Sequence, residues 1–157
     1  MKDSLRSVTE FHLSLVDFNE DTFCKITSLL ENHLTKFCIF GYRHKSKCVL
    51  EFIERKKSSL KQINFRYCHR LNDRDLRSLS AIEGLDLTSI YLISCSQLTD
   101  YGFRKLCESQ NNIMELNISS CEISDDAVFT IVRYLPKIKS LFMRHCSRIT
   151  DVSPLYI

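Results

Sequence analysis

Glycine and proline are scarce, with three and two residues in a chain of 157. That scarcity argues against a loop-rich all-β fold, whose many tight turns draw on both. No apolar run approaches the length needed to cross a bilayer as a helix, so no membrane span is expected. Met1-Lys2-Asp3-Ser4-Leu5-Arg6 contains no apolar stretch of signal-peptide length, and Asp3 and Glu10 break the acid-poor pattern of a transit peptide. Charge of neither sign dominates. The net charge of +3 is too small to imply a nucleic-acid or membrane partner by itself. Signatures of chemistry are also lacking. There is no Gly-x-x-x-x-Gly-Lys, Gly-x-Gly-x-x-Gly, His-Glu-x-x-His or Gly-x-Ser-x-Gly. Cys68-His69 and His145-Cys146 are chain neighbours, whereas a catalytic Cys–His pair meets in space with a third group orienting the base. No catalytic residue, cofactor or metal is expected, and the reading is non-enzymatic.

What the chain does have is a repeat. The frame Leu-x-x-Leu-x-Leu-x-x-Cys, with Ile, Val, Phe or Met allowed for Leu, starts at Val8, Leu34, Leu60, Leu87, Ile113 and Ile138. In the unit beginning at Leu87, Ile90 and Leu92 alternate with Ser89, Tyr91 and Ile93, a period of two that predicts a short strand. Thr99-Asp100 supplies a helix N-cap ahead of Phe103 and Leu106, three apart as on one helical face. The remaining helices are read from Phe23, Ile26 and Leu29 in the first unit, Leu50 with Ile53 in the second, Leu76 and Leu79 in the third, and Val128, Ile131 and Leu135 in the fifth. One strand–turn–helix unit cannot bury its apolar side alone. Units stacked in parallel bury it between neighbours, which predicts one α/β solenoid domain over 1–157 with about five full repeats and a partial sixth.

Eight cysteines in a short chain raise the alternative of a secreted disulfide framework. Without a signal peptide the expectation is an intracellular, reducing compartment with free thiols, cytoplasmic or nuclear, with a mitochondrial location left open. Cys68, Cys95, Cys121 and Cys146 occupy the ninth frame position and read as a structural ladder, each a small apolar residue with a weak donor. Zinc ligands gather through short local spacings, and these lie a full repeat apart. Cys24, Cys38, Cys48 and Cys107 are off the ladder, and no Cys-x-x-Cys exists. Asp73, Asp100, Asp125 and Asp151 recur at the repeat period, which helix capping explains better than acid–base work.

Cys95-Ser-Gln-Leu98-Thr99-Asp100-Tyr-Gly102-Phe103 and Cys146-Ser-Arg-Ile149-Thr150-Asp151 closely match Cys-x-x-Ile-Thr-Asp-x-Gly-Leu. Cys68-His-Arg-Leu71-Asn-Asp73 matches well, and Cys121-Glu-Ile123-Ser-Asp125 matches with one residue deleted. With the frame ahead of them, these segments resemble the cysteine-containing subclass of leucine-rich repeats. The resemblance covers nearly the whole chain and is strongest from Leu60 onward. It implies a short horseshoe arc with parallel strands on the concave face and helices on the convex face. It also implies kinship with the substrate-reading repeats of F-box proteins in cullin-type ubiquitin ligases. Only seven residues precede Val8, too few for an F-box, so adaptor binding through such a box is not expected of this stretch. The other reading is a structural or assembly factor in a larger complex, of mitochondrial or ciliary type. Val16 and Tyr42 replace the ladder Cys in the first two units, and Lys45 and Lys47 stand where the pattern has an aliphatic residue and Asp. The turn after Tyr42 is therefore expected to be irregular, since Lys opposes the dipole at a helix N-terminus.

Three frame positions point away from the core. The fifth runs His12, Cys38, Asn64, Tyr91, Asn117, Phe142. The seventh runs Ser14, Phe40, Arg66, Ile93, Ser119, Arg144. The eighth, at the lip of the turn, runs Leu15, Gly41, Tyr67, Ser94, Ser120, His145. Aromatic residues with Arg are the usual make-up of interface hot spots. The predicted protein-binding site on the concave face is Phe40, Asn64, Arg66, Tyr67, Tyr91, Ile93, Asn117, Phe142 and Arg144. The stretch 43–61 carries seven basic residues against two acidic ones, a local balance of +5. Arg43, Lys45, Lys47, Arg55, Lys56 and Lys57 form a secondary basic patch there, read as a solvated helix face or a site for an acidic protein or phosphate partner. Nucleic acid is not expected, because no stacking aromatics are interleaved with these charges. The frame ends in a sixth strand, Ile138 to Cys146, and Pro154 disfavours a helix after it. Both terminal repeats are expected to need cover, from a partner, a second copy or the tails, and the oligomeric state stays open.

Overall fold

The structure, a computed structural model, describes residues 7–14, 20–30, 33–43 and 47–150. Strands and helices alternate: β1 (Glu10–Ser14), α1 (Glu20–Ser28), β2 (Lys36–Phe40), α2 (Lys47–Lys56), β3 (Gln62–Arg66), α3 (Asp73–Ser80), β4 (Ser89–Ile93), α4 (Asp100–Ser109), β5 (Glu115–Asn117), α5 (Asp125–Tyr134) and β6 (Ser140–Phe142). The six strands form one open parallel sheet in sequence order. Register is uninterrupted: Phe11, Phe37, Ile63, Ile90, Leu116 and Leu141 lie in one row, and His12, Cys38, Asn64, Tyr91, Asn117 and Phe142 in the next. Those rows are the fourth and fifth frame positions, so the sequence period sets the strand pairing. Six parallel strands with five helices between them are compatible with a solenoid-like arc.

The alternation within each strand decides which face is buried. Phe37, Ile39, Ile63, Phe65, Ile90, Leu92, Leu116 and Ile118 join the helix residues in one continuous core. The first half of that core is aromatic. Phe37 and Phe52 are fully buried, with ring centroids 4.8 Å apart, and Phe23 meets Phe52 edge-on at 5.9 Å. Such a pair adds about 0.5–1.5 kcal/mol to what its burial contributes. From β4 onward Leu and Ile take over, with Phe103 of α4 the exception. The interior side chains expected for the third, fourth and fifth helices are buried as predicted, and Leu50 and Ile53 of α2 also pack on the core.

The first helix corrects the sequence expectation. Ile26 and Leu29 are exposed at 38% and 47%, and the buried face is Phe23, Thr27 and Leu30. Thr27 tolerates burial because its hydroxyl donates to the Phe23 carbonyl at 2.9 Å. The hydroxyl thereby stays hydrogen-bonded, which removes most of the cost of burying it. The predicted irregular turn falls on residues 44–46, outside the described residues, as do Leu15, Val16, Lys45, Asp151 and Pro154.

A second correction concerns the repeating aspartates. The caps are Asn72, Thr99 and Ser124, whose side chains accept from Arg74 N, Tyr101 N and Asp126 N. Asp73, Asp100 and Asp125 are the first helical residues; the carboxylates of Asp73 and Asp100 reach the caps of the following units, and that of Asp125 reaches Thr150, at the equivalent position of the sixth. Thr99 donates to Asp73 through its backbone N–H (2.8 Å) and hydroxyl (2.6 Å). Ser124 does the same to Asp100 (2.8 and 2.8 Å), and Thr150 to Asp125 (2.9 and 2.7 Å). The first two pairs stitch α3 to α4 and α4 to α5 at their N-terminal ends, where the helix dipole also favours a carboxylate. The stitch brings α4 close to α3. A Cβ on Gly102 would lie 2.6 Å from the Asp73 Cα, so glycine there is a requirement of close approach.

Candidate functional site: the open face of the sheet

Helices cover one face of the sheet and leave the other open. The open face is built by the same alternation that fills the core, because residues two apart on a strand share a side. Its columns are the third, fifth and seventh frame positions, and the eighth lies at the rim. All nine predicted binding residues are on this face or rim. Arg66, Tyr67, Phe142 and Arg144 are exposed, and Phe40, Asn64, Tyr91, Ile93 and Asn117 are half-buried. Phe40 and Tyr67 pack with centroids 5.0 Å apart, and His69 approaches Tyr67 at 6.4 Å, so the first half of the face carries an aromatic cluster.

The rim has a backbone reason that composition alone does not reveal. Gly41, Tyr67, Ser94, Ser120 and His145 all have positive φ, between 54° and 71°. In each unit from the second onward one left-handed residue turns the chain out of the sheet, at a cost of roughly 1–2 kcal/mol for each residue bearing a Cβ. The N–H groups of this row bridge to the next unit: Gly41 donates to Arg66 O (2.7 Å), Tyr67 to Ile93 O (2.9 Å), Ser94 to Ser119 O (2.9 Å) and Ser120 to Arg144 O (2.8 Å). Gly41 in the eighth position is the one sequence signal for this row.

Polar groups on the face divide into engaged and free. Glu10 bonds Lys36 at 2.6 Å and lies 3.5 Å from His12. Lys36 holds the Glu10 carboxyl below its usual range. Desolvation, and then the hydrogen bond to Glu115, push the Tyr91 hydroxyl up to about 12. Asn117 Oδ1 accepts from Ser119 N at 3.1 Å. The guanidinium groups of Arg66 and Arg144 make no hydrogen bond or ion pair to any described residue. Asn64 Oδ1 is buried without a partner among the described residues.

The cysteine ladder lies behind this face. Each thiol points at a backbone carbonyl of the preceding unit: Cys68 to Ile39 O (3.9 Å), Cys95 to Phe65 O (3.6 Å), Cys121 to Leu92 O (2.8 Å) and Cys146 to Ile118 O (3.2 Å). Burial pushes Cys121 up to about 11 and also raises Cys146. The neighbouring Cys68 thiol, and then burial, raise Cys95. These three are therefore held as thiols, poor nucleophiles and poor metal ligands. His69 and His145 are exposed beside the ladder, at the lip of the turn.

The basic patch is less uniform than its sequence. Lys56 is buried, not solvated, and its ammonium donates to the Leu30 carbonyl at 2.5 Å. Its long stem lets the charge reach a helix-end carbonyl from inside the core. Arg55 donates to Thr27 Oγ1 at 3.3 Å and lies 5.9 Å from the centre of the Phe52 ring. Lys61 bonds Asp86 at 2.8 Å. Arg43 and Lys47 are exposed and Lys57 half-buried, while Lys45 lies outside the described residues. Lys47 borders a cleft of about 810 Å³ between α2 and α3, floored by Leu50 and Ile82. Glu51 and Glu54 line one wall and Arg70 and Arg74 the other, so the cleft is of mixed charge. A smaller apolar hollow of about 250 Å³ lies between α5 and β6, lined by Val128, Ile131, Val132, Ile138 and Leu141. Among the described residues no helix is long and apolar enough to cross a membrane, and no group of three metal-binding side chains converges. No protein-family model matches the chain.

Proposed function

We propose that this chain is a non-enzymatic protein-interaction module of leucine-rich-repeat type, with the open sheet face as its binding surface. One observation carries the reading. Phe40, Tyr67, Tyr91, Ile93 and Phe142 are presented together with Arg66 and Arg144 on a face that no described element covers. A scaffold face with no partner gains nothing from aromatic side chains in water, whereas binding buries them and desolvates the arginines around them. The cysteine-ladder resemblance makes a substrate-recognition role, as in ubiquitin-ligase receptors, the leading form of this function. The test is capture from cells with Tyr91→Ala and Phe142→Ala. Loss of a specific partner with unchanged circular dichroism supports the open face. Unchanged capture by a folded double variant removes it, and co-capture of cullin-ligase subunits separates a ligase role from others.

The second reading, an assembly factor without a ubiquitin role, is favoured by the apolar hollow beside β6 and by exposed Val132 on α5. Those side chains suit a permanent neighbour packed against the sixth unit. Val132→Glu, with capture repeated, distinguishes the readings: loss of a stable complex while the open-face partner is retained supports assembly.

A further inference from the structure

Among the described residues, two cations without a hydrogen-bond or ion-pair partner stand in one column of the open face. Arg66 and Arg144 both occupy the seventh frame position, separated by Ile93 and Ser119. The row is fixed by the Arg66–Ile93 pairing, by Ser94 N donating to Ser119 O (2.9 Å), and by Arg144 N donating to Ser119 Oγ (3.1 Å). Three parallel-strand spacings of about 4.8 Å put the two arginine positions roughly 14 Å apart. An extended polypeptide advances about 3.4 Å per residue, so side chains four residues apart on one side are separated by roughly the same distance. The residue midway between them, pointing the same way, falls near the half-buried Ile93.

The two open-face carboxylates do not compete for these arginines. Glu10 is held by Lys36, and Glu115 makes no ion pair with either arginine; its electrostatic neighbour is Tyr91. Phe142 and Tyr91 flank the row one column away and supply apolar contact beside each charge.

Building on the open-face reading, we propose that the occupant is an extended acidic segment of a partner protein running across the strands. It presents carboxylates at positions i and i+4 to Arg66 and Arg144, with an apolar side chain at i+2 on Ile93. Arginine suits this role because its planar fork takes a carboxylate in two parallel hydrogen bonds and carries its charge at any working pH.

The experiment uses the full chain and fluorescein-labelled peptides containing Glu-x-Leu-x-Glu, read by fluorescence anisotropy at low salt. Controls contain Gln-x-Leu-x-Gln, the shortened Glu-Leu-Glu, and a version with phosphoserine for both glutamates. Glu-x-Leu-x-Glu is expected to bind tightest. Arg66→Gln and Arg144→Gln are each expected to weaken it about five- to tenfold, the factor for one exposed charge-assisted pair of about 1–1.4 kcal/mol. Both arginines are exposed and neither variant removes a side-chain hydrogen bond to a described residue, so folding should hold, as circular dichroism checks. No saturable binding, equal binding of the Gln peptide, or indifference to both Arg variants overturns the acidic occupant. Tighter binding of the phosphoserine peptide overturns the carboxylate assignment. Either failure is separable from failure of the open-face reading, which additionally requires capture to be insensitive to Tyr91→Ala and Phe142→Ala.

Discussion

Gly102→Ala is the sharpest test of how neighbouring units are held together. Gly102 lies inside α4, where alanine is the better helix former by about 1 kcal/mol, so local propensity predicts stabilisation. The packing predicts the reverse. The added methyl would sit 2.5 Å from Asp73 Oδ1, 2.6 Å from its Cα and 2.8 Å from its Cβ. The Oδ1 contact alone could be relieved by a rotamer change, but the Cα is backbone at the first residue of α3, so a helix must move. Overpacking of this kind costs roughly 1–3 kcal/mol. Moving Asp73 also disturbs its two bonds from Thr99, which add about 1 kcal/mol at this exposed site. Against the helix gain, the net expectation is destabilisation by about 2 kcal/mol, or a fall in Tm of about 4–8 °C.

Urea and thermal unfolding followed by circular dichroism measure this, with Asp73→Ala and the double variant completing a cycle. Asp73→Ala should cost less in the Gly102→Ala background than in the native chain, because the clash has already displaced the carboxylate. A Gly102→Ala protein as stable as the native one, or a cycle that is strictly additive, would refute the close approach of α4 to α3 and the stitch with it.

Four further outcomes are expected. Asp100→Ala should destabilise by about 1–3 kcal/mol, since the Ser124 N–H and hydroxyl both lose a charged acceptor, and hydrogen exchange should rise at the α4–α5 N-terminal ends before it rises at α1. Lys56→Met should cost about 1–3 kcal/mol by leaving the Leu30 carbonyl without its ammonium donor, although Met matches the stem in size; no change in the urea midpoint would contradict the buried bond. Iodoacetamide at pH 7.5 on the folded chain should modify exposed Cys24 and spare Cys121, whose thiol burial pushes up to about 11, as peptide mass spectrometry reads directly. Hydrogen bonds from Lys61, then Asn112, hold Asp86 below its ordinary value of 3.8. Its contribution is therefore present above that value and lost as pH falls through the lower folded one, so Asp86→Asn should flatten the acid limb of the stability curve and leave its shape above pH 5 unaltered.

The parts of the fold that repeat within one unit were legible in the sequence. Strand period, the buried rows and the ladder positions each follow from alternation and spacing, and the register Phe11–Phe37–Ile63–Ile90–Leu116–Leu141 restates the frame. The open-face columns follow too, because a strand residue that is not buried points the other way. What escaped are contacts between units or choices between equivalent faces. Asp100 reads as a cap from its own helix, and only the lateral placement of Ser124 reveals its partner. In α1 the sets Phe23, Ile26, Leu29 and Phe23, Thr27, Leu30 both have helical spacing, and the apolar count favours the wrong one. The backbone bond of the Thr27 hydroxyl settles it. Lys56 belongs to a basic run in sequence, yet its neighbours in space are a core and a carbonyl.

A comparison of the units with one another connects stability to function. Positions that build the fold recur in kind from unit to unit: aliphatic or aromatic rows inside, Cys thiols on backbone carbonyls of the preceding unit, Asp carboxylates on Ser or Thr hydroxyls of the following one. Each of these groups finds its partner within the fold, on the helix side of the sheet or at the helix ends. The open-face positions instead change identity at almost every step, from His12 and Cys38 through Asn64 and Tyr91 to Asn117 and Phe142. Side chains there can change without breaking a stitch, because the packing that sets the register lies behind them. A surface freed from structural duty in this way can be shaped by whatever binds it. Substitutions at Arg66, Tyr91 or Phe142 should therefore alter binding while leaving Tm nearly fixed, and equivalent changes at Leu92 or Cys95 should do the opposite.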